Sequence, residues 1–382
     1  MPRDRPEAPR AKPAAVIVIN ALHSGGAEKT CIELARYMQV DYDLEVVGLI
    51  LGGPAEEELR SLGVKVTVPA GSGMWQKLTA CWHLASLLRQ RKPEVVITFL
   101  YLADLVGGCL ARVMAPRASV FWNIRNNVLA RNQVGAVSHV LARVNAYLSR
   151  IVPSAIVYCS QVARTQHESI GFRGKRSSVV ENSPGSVPFT FSAEKRDALR
   201  RGAWNGDFVF LFVGRFDRVK RVDVYIEACI RLYRRIGGKL RFLVAGRAMD
   251  AENPSLRAAL ESSGIGERFL LLGHVSDQQE IYSAADCLIV TSESEGSPNA
   301  VYEAMATRLQ TIIFATVGTE AIDDPRVRRL EIRDMEKLVE VMAETVARGI
   351  PPVSVRQSGP DKPAGIPEHP LVTFYKSELR CT

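Results

Sequence analysis

The sequence predicts an α/β fold of two doubly wound, parallel-sheet domains, and three observations support that prediction. Short apolar runs rich in Val, Ile and Phe alternate with amphipathic stretches of helical period, as expected of a parallel sheet covered by helices on both faces. The alternation ends at a cluster of Pro, Gly and Ser, ENSPGSVPFTFSAEK at residues 181–195, and then restarts. The chain has 382 residues, which at about 150 residues per domain allows two or three domains.

In the first half the expected strands are residues 15–20, 44–50, 64–68, 95–100, 120–124 and 155–158. The clearest helices between them are 27–38, 77–90 and 134–149. In the second half the strands are 208–213, 241–245, 269–272, 287–290 and 311–314, with helices at 222–235, 254–263, 278–284, 299–307 and 335–347. The domains therefore read as 15–185 and 195–349, after a polar, disordered lead-in at 1–14. A proline-rich tail at 350–382 ends in a helical pattern at 373–380, and sequence leaves open whether the tail crosses back to the first domain or forms a tether.

Composition is that of an ordinary globular chain, 47% hydrophobic and 24% charged. Seven scattered cysteines without a CxxC pair suggest reduced cytosolic thiols rather than disulfides or a zinc site. The longest apolar stretch, residues 95–111, is interrupted by Asp104 and Gly107-Gly108 and is shorter than the ~20 residues a membrane span needs, so it reads as a strand followed by a helix. The opening segment lacks the apolar core of a signal peptide, which points to a cytoplasmic protein. All of the formal net charge, +8, lies in residues 1–190, where 22 Lys and Arg meet 14 Asp and Glu; between 101 and 176 ten basic residues meet only Asp104 and Glu168. No nucleic-acid motif or interleaved aromatic residues accompany this excess. An anionic membrane surface, contacted peripherally on the cytoplasmic face, suits it better. The helical stripe Val137, Val140, Leu141, Val144 and Leu148 is expected to pack inward, leaving Arg143 and Arg150 to supply attraction.

TSESEGSPNAVYEAMAT, residues 291–307, is the most informative segment. Ser297 suits an N-cap and Pro298 a first helical position, leaving the amides of Asn299, Ala300 and Val301 to meet an anion such as a phosphate. Glu295 and Glu303 flank that site and could accept hydrogen bonds from sugar hydroxyls. Arg215 and Lys220 follow the apolar run FVFLFVG and would lie at the carboxyl end of the sheet. Two cations there could hold a diphosphate as its glycosidic bond breaks. Gly25 and Gly26 open the first helix and permit close backbone approach to a ligand, although the pair alone could be only a tight turn. Glu28 reads as a first-turn partner of the helix dipole.

Glu-x7-Glu, written here SEGSPNAVYEAMA, resembles the donor-binding motif of retaining glycosyltransferases of family 4. SGGAEKTCIELA, VGRFDRVKRVDVYIEA and LLGHVSDQQEIYSAADCLIVTS match in the same order, so the resemblance covers roughly residues 15–320. It implies a GT-B fold: two facing Rossmann-like domains with the active site in the cleft between them, acceptor on the N-terminal domain and donor nucleotide on the C-terminal one. It gives Glu303 to the ribose, Glu295 to the donor sugar, Arg215 and Lys220 to the diphosphate, and Gly25 and Gly26 to the donor. The donor would be a UDP- or GDP-sugar carrying a hexose or N-acetylhexosamine, and the acceptor a lipid-linked saccharide of bacterial polysaccharide synthesis. No metal-ligand cluster or cofactor is expected, since the cationic pair supplies the charge.

The chain departs from that pattern in two places. Where many members have a histidine after the fifth strand, it reads FWNIRNN, so Asn123 and Arg125 become candidate sugar or acceptor contacts; His23, His139 and His167 read as structural. Arg308 replaces a usual glycine, and the following loop is short. A sugar-nucleotide epimerase of the same fold and a non-catalytic glycan-binding protein remain open alternatives, the second if the Arg308 loop closes the donor site.

Overall fold

The computed structural model describes residues 12–23, 25–71, 73–126, 136–182, 187, 189–200, 204, 206–316, 318–319, 322–357 and 370–380. The polar lead-in up to residue 11 and the proline tract at 358–369 lie outside them. The chain divides into two compact units, residues 1–180 with 371–382, and residues 181–370.

Unit 1 contains strands β1 (Ala14–Ile19), β2 (Asp43–Gly48), β3 (Lys65–Thr67), β4 (Val95–Phe99), β5 (Ser119–Ile124), β6 (Ala155–Tyr158) and β7 (Ser177–Val179). Its helices are α1 (Gly26–Asp41), α2 (Pro54–Ser61), α3 (Met74–Arg91), α4 (Tyr101–Met114), α5 (Ala136–Leu148) and α6 (Gln161–Ser169). The strands pair in parallel in the order β3-β2-β1-β4-β5-β6-β7. Alternate residues enter opposite cores, the signature of a sheet covered on both faces. Ile17, Ile19, Ile97, Phe99 and Phe121 pack under α1 and α2, whereas Val16, Val18, Val96, Val120 and Trp122 pack under α3, α4 and α5.

Two glycines seat α4 on this second face. A Cβ on Gly107 would lie 3.0 Å from the Val18 side chain, and one on Gly108 would lie 2.5 Å from the Trp122 ring nitrogen. The expected strand and helix of residues 95–111 are β4 and α4, and no helix among the described residues is long and apolar enough to cross a membrane.

The helix expected at 134–149 is α5, and its apolar stripe divides: Leu141 and Leu148 pack against the core as expected, whereas the valines do not. Val137, Val140, Val144 and Tyr147 are exposed, while Ala142, Asn145 and Ala146 are buried. Close packing against α4 selects the small residues for the seam, and Asn145 Nδ2 donates to the Tyr101 carbonyl at 2.8 Å.

Unit 2 contains β8 (Phe208–Val213), β9 (Leu240–Ala245), β10 (Phe269–Gly273), β11 (Cys287–Val290), β12 (Gln310–Phe314) and β13 (Val327–Leu330), all parallel, in the order β10-β9-β8-β11-β12-β13. Its helices are α7 (Ala193–Leu199), α8 (Val222–Ile236), α9 (Pro254–Glu261), α10 (Gln278–Ala284), α11 (Asn299–Ala306), α12 (Met335–Ala347) and α13 (Val353–Gln357). Phe208, Phe210, Phe212 and Phe242 face α8, α9 and α12; Val209, Leu211 and Leu243 face α10 and α11. At the amino end of β11, Asp286 is buried and accepts from Arg196 at 3.1 Å, Arg200 at 2.5 Å and the Val209 amide at 2.9 Å. Arg356 fastens α13 to the same region through the carbonyls of Tyr282, Ser283, Ala285 and Thr307.

The last helix, α14 (Pro370–Arg380), belongs to unit 1 for all but its first residue. Leu371, Val372 and Tyr375 are buried in the core formed by β1, β4, β5 and α1. The Tyr375 ring lies edge-on to Phe121 at 4.9 Å, and Glu378 pairs with Arg176 at 2.9 Å.

Candidate functional site

Strand order in unit 2 reverses between β8 and β11, the switch point at which parallel sheets open a crevice at their carboxyl ends. The loops after these two strands carry most of the candidate residues. A glycine lattice shapes the rim. Gly214 donates its amide to the Ala245 carbonyl at 2.9 Å, and Gly246 donates to the Gly273 carbonyl at 2.7 Å. Gly246 has φ +137, and a Cβ there would lie 1.9 Å from the Gly214 carbonyl oxygen, so the approach admits only glycine.

The loop after β8 is held by Asp217, whose carboxylate accepts from the Val219 amide at 2.8 Å and from Arg215 Nε at 2.9 Å. Burial would raise the Asp217 pKa, but the Val219 amide and the charges of Arg215 and Lys220 outweigh it and hold the group below its ordinary range. The Arg215 side chain is half exposed and, among the described residues, pairs through Nε with Asp217, which leaves its outer guanidinium donors for an anion. Lys220 extends to Glu295, with Nζ 2.8 Å from each carboxylate oxygen. Two residues 75 positions apart thus meet at the switch point.

Backbone bonds fix this meeting. Glu293 donates its amide to the Val219 carbonyl at 2.8 Å, and the Thr291 hydroxyl donates to the carbonyls of Lys220 and Arg221 at 3.1 and 2.8 Å. Arg221 is engaged by Asp223 and, at 2.7 Å, by Glu293. On the far side Gly318, φ +91, presses on the Glu295 backbone; a Cβ there would lie 1.7 Å from the Glu295 carbonyl oxygen. Asp217, Glu293, Gly246 and Gly318 are the supports that sequence reasoning missed. For Gly246 the available signal was a glycine directly after a strand.

Ser297 is not the N-cap of α11. Pro298 occupies that position with ψ 63, outside the helical region, and the Ser297 hydroxyl instead lies 3.1 Å from Asn299 Oδ1. Because Pro298 precedes the helix, its carbonyl accepts from the amides of Val301 and Tyr302, while the Asn299 amide donates to Ser297. Of the three amides expected to be open, only that of Ala300 has no partner among the described residues. Glu303 is buried one turn into α11, and its charge, after burial itself, raises the pKa of the neighbouring Tyr282 hydroxyl. Arg308 lies just past the other end of this helix with φ 56, the left-handed geometry that a glycine would suit, and its guanidinium reaches the Val355 carbonyl at 3.4 Å. Its side chain thus turns toward α13.

The unit 1 candidates are placed separately. Gly25 caps α1 in an extended conformation that any residue adopts, and Glu28 folds back so closely that a Cβ on Gly25 would lie 2.5 Å from its carboxylate. Gly26 is the first residue of α1. Asn123 is fully buried and donates to the Tyr375 hydroxyl at 2.9 Å, a bond that helps to attach α14. Arg125 is also buried and donates to the Val180 carbonyl at 3.1 Å. His167 is structural: Nε2 meets the Tyr101 hydroxyl and Nδ1 the Ala163 carbonyl, each at 2.7 Å, and burial pushes its pKa down to about 4.

Two parallel-sheet, Rossmann-like units, the second bearing a cation–carboxylate pair at its switch point, define an enzyme of the GT-B class. The chain is a glycosyltransferase: residues 207–348 match the family described as Glycosyl transferases group 1, and residues 25–183 match the Glycosyl transferase 4-like domain. It is 20% identical to a Campylobacter jejuni enzyme over 303 residues, 75% of each chain. That enzyme is named GalNAc-alpha-(1->4)-GalNAc-alpha-(1->3)-diNAcBac-PP-undecaprenol alpha-1,4-N-acetyl-D-galactosaminyltransferase. This chain is also 18% identical to the Staphylococcus aureus capsular polysaccharide biosynthesis glycosyltransferase CapH, over 75% of this chain and 77% of the relative. Among solved structures, Anabaena Alr3699/HepE in complex with UDP and glucose superposes with a TM-score of 0.77 at 15% identity, covering 97% of this chain and 100% of that one.

Proposed function

We propose that this glycosyltransferase is a retaining enzyme of family 4 that moves a hexose or N-acetylhexosamine from a nucleoside diphosphate sugar to a hydroxyl of a saccharide acceptor in polysaccharide synthesis. The observation that carries the proposal is the Lys220–Glu295 pair, which joins a cation and a carboxylate from two separate motifs at the switch point of unit 2. Arg215 and Lys220 hold the diphosphate, the Ala300 amide adds a donor at the start of α11, Glu295 accepts from sugar hydroxyls, and Glu303 accepts from the ribose. Donor binding exchanges the partners of Lys220: the ammonium passes from Glu295 to phosphate, and the released carboxylate becomes available to the sugar. As the glycosidic bond breaks, charge builds on the diphosphate beside the two cations, and the departing phosphate takes the acceptor proton. UDP is the favoured nucleotide on the likeness to the UDP-bound Anabaena protein, and a lipid-linked acceptor on the undecaprenol-linked relative. Such an acceptor places the enzyme at the cytoplasmic face of an anionic membrane, approached by the basic unit 1.

Calorimetric titration with UDP and GDP, followed by product analysis with UDP-GlcNAc and a lipid-linked saccharide, tests this reading. Glu303→Ala should weaken UDP binding by about 1.5–3 kcal/mol, the worth of hydrogen bonds to a charged group. An unchanged dissociation constant in the folded variant would refute the ribose role. Epimerised donor without transfer would replace the proposal with the epimerase.

A further inference from the structure

Lys220 and Arg221 are neighbours in the chain, and each is held by a glutamate of the loop after β11: Lys220 by Glu295 at 2.8 Å, Arg221 by Glu293 at 2.7 Å. Donor binding opens the first pair in the chemistry proposed above. Nothing in that chemistry opens the second.

Arg221 keeps its place against a backbone preference. Its φ of 52 and ψ of 48 are left-handed, a geometry that disfavours any residue with a side chain. Residues held in this way persist where their surroundings fix them, and they gather at working sites. Here the surroundings are two carboxylates. Arg221 donates to Asp223 through Nε at 3.0 Å and Nη2 at 2.9 Å, and to Glu293 through Nη1. Arg333, left-handed as well with φ 70, approaches the same Glu293 oxygen at 3.5 Å from the turn before α12. Glu293 thus collects two arginines from separate segments while its amide bonds the Val219 carbonyl.

Side chains therefore tie residues 220 and 221 to the loop after β11 twice, through Lys220–Glu295 and through Arg221–Glu293. With both pairs made, either can keep the two loops in register. When phosphate takes Lys220, Arg221–Glu293 is the one left. We propose that Arg221 and Glu293 are positioning residues, whose ion pair holds the loops after β8 and β11 together as the donor draws Lys220 from Glu295, so that the released carboxylate still faces the sugar. This deepens the donor reading and rests on it.

Calorimetric titration with UDP, and thermal unfolding without nucleotide, test Arg221→Gly, Glu293→Gln and the double variant. Glycine suits the left-handed backbone and the pair is redundant without a donor, so each variant should melt within about 2 °C of the parent. UDP affinity should fall about three- to fivefold in either single variant, the scale of one partly exposed ion pair, and no further in the double variant. Arg231→Ala, whose pairs with Glu227 and Glu336 join neither loop, should bind UDP as the parent does. A bulk charge effect would weaken binding in Arg221→Gly and tighten it in Glu293→Gln, so opposite shifts would overturn the proposal. Unchanged affinity, losses that add, or a melting temperature that falls in step with affinity would overturn it too. A parent that binds neither UDP nor GDP would sink the donor reading first. The tie is then read without nucleotide, with Glu295→Ala supplying the opened pair. Deuterium exchange at the Glu293 amide should quicken in Arg221→Gly with Glu295→Ala by more than the product of the two single effects, and a simple product would refute the pair's role.

Discussion

Lys220 is the side chain on which the proposed chemistry turns, because it is held by the carboxylate that donor binding would release. Replacing Lys220 or Arg215 with alanine should lower turnover by about 10²–10³-fold, the scale of removing one preorganised electrostatic donor. Arg218→Ala should do much less, since that side chain is exposed and follows a different spacing. Steady-state kinetics of the three variants decide the matter: equal losses would mean a generally basic loop. His167 gives a prediction of another kind. Its folded pKa is pushed down to about 4, whereas an unfolded histidine titrates near 6.5. Between those values the unfolded chain binds the extra proton, so this contribution to stability is intact above about pH 6.5 and lost as pH falls toward 4. Urea unfolding should show His167→Gln losing about 3 kcal/mol less than the parent between pH 7 and 4.

At the scale of elements, α11 shows what a short helix conceals. A serine before a proline suggests a capped start, yet the proline takes the cap and its carbonyl satisfies amides that would otherwise face a ligand. The other end of the same helix carries Arg308 in left-handed geometry, which costs a side-chain-bearing residue about 1–2 kcal/mol. Arg308→Gly should therefore raise stability by about 0.5–1 kcal/mol after glycine's greater unfolded-state entropy is deducted, with UDP affinity unchanged. Thermal unfolding alongside titration checks both halves.

Strands such as Phe208–Val213 and Cys287–Val290 were legible to the residue because buried parallel strands are continuous apolar runs. Edge strands β7 and β13, SSV and VRRL, were not, since they are short and polar and take their conformation from a neighbour. α2, PAEEELRS, escaped for the same want of a long apolar stripe. The pairing of Lys220 with Glu295 was legible only as two separate motifs, because sequence does not say which loops adjoin. The outward turn of the α5 valines was misread because the close approach of α4, and hence the demand for alanine at the seam, is a tertiary fact.

For the whole molecule, the division of the chain matters more than its length. Unit 1 is assembled from both sequence ends, and Leu371, Val372 and Tyr375 fill a core whose other members precede residue 181. Removing residues 358–382 should destabilise unit 1 by several kcal/mol, since each such side chain contributes about 1.5–3 kcal/mol on burial. It would also leave the Asn123 amide buried without its partner. Differential scanning calorimetry should show the transition of unit 1 lowered or absent, while UDP binding, proposed for unit 2, persists. The same arrangement reverses the order in which the protein can mature. Domains ordinarily fold one after another as they leave the ribosome. Here the segment that closes unit 1 emerges only after the whole of unit 2 has been made, so the first unit synthesised is the last to be sealed.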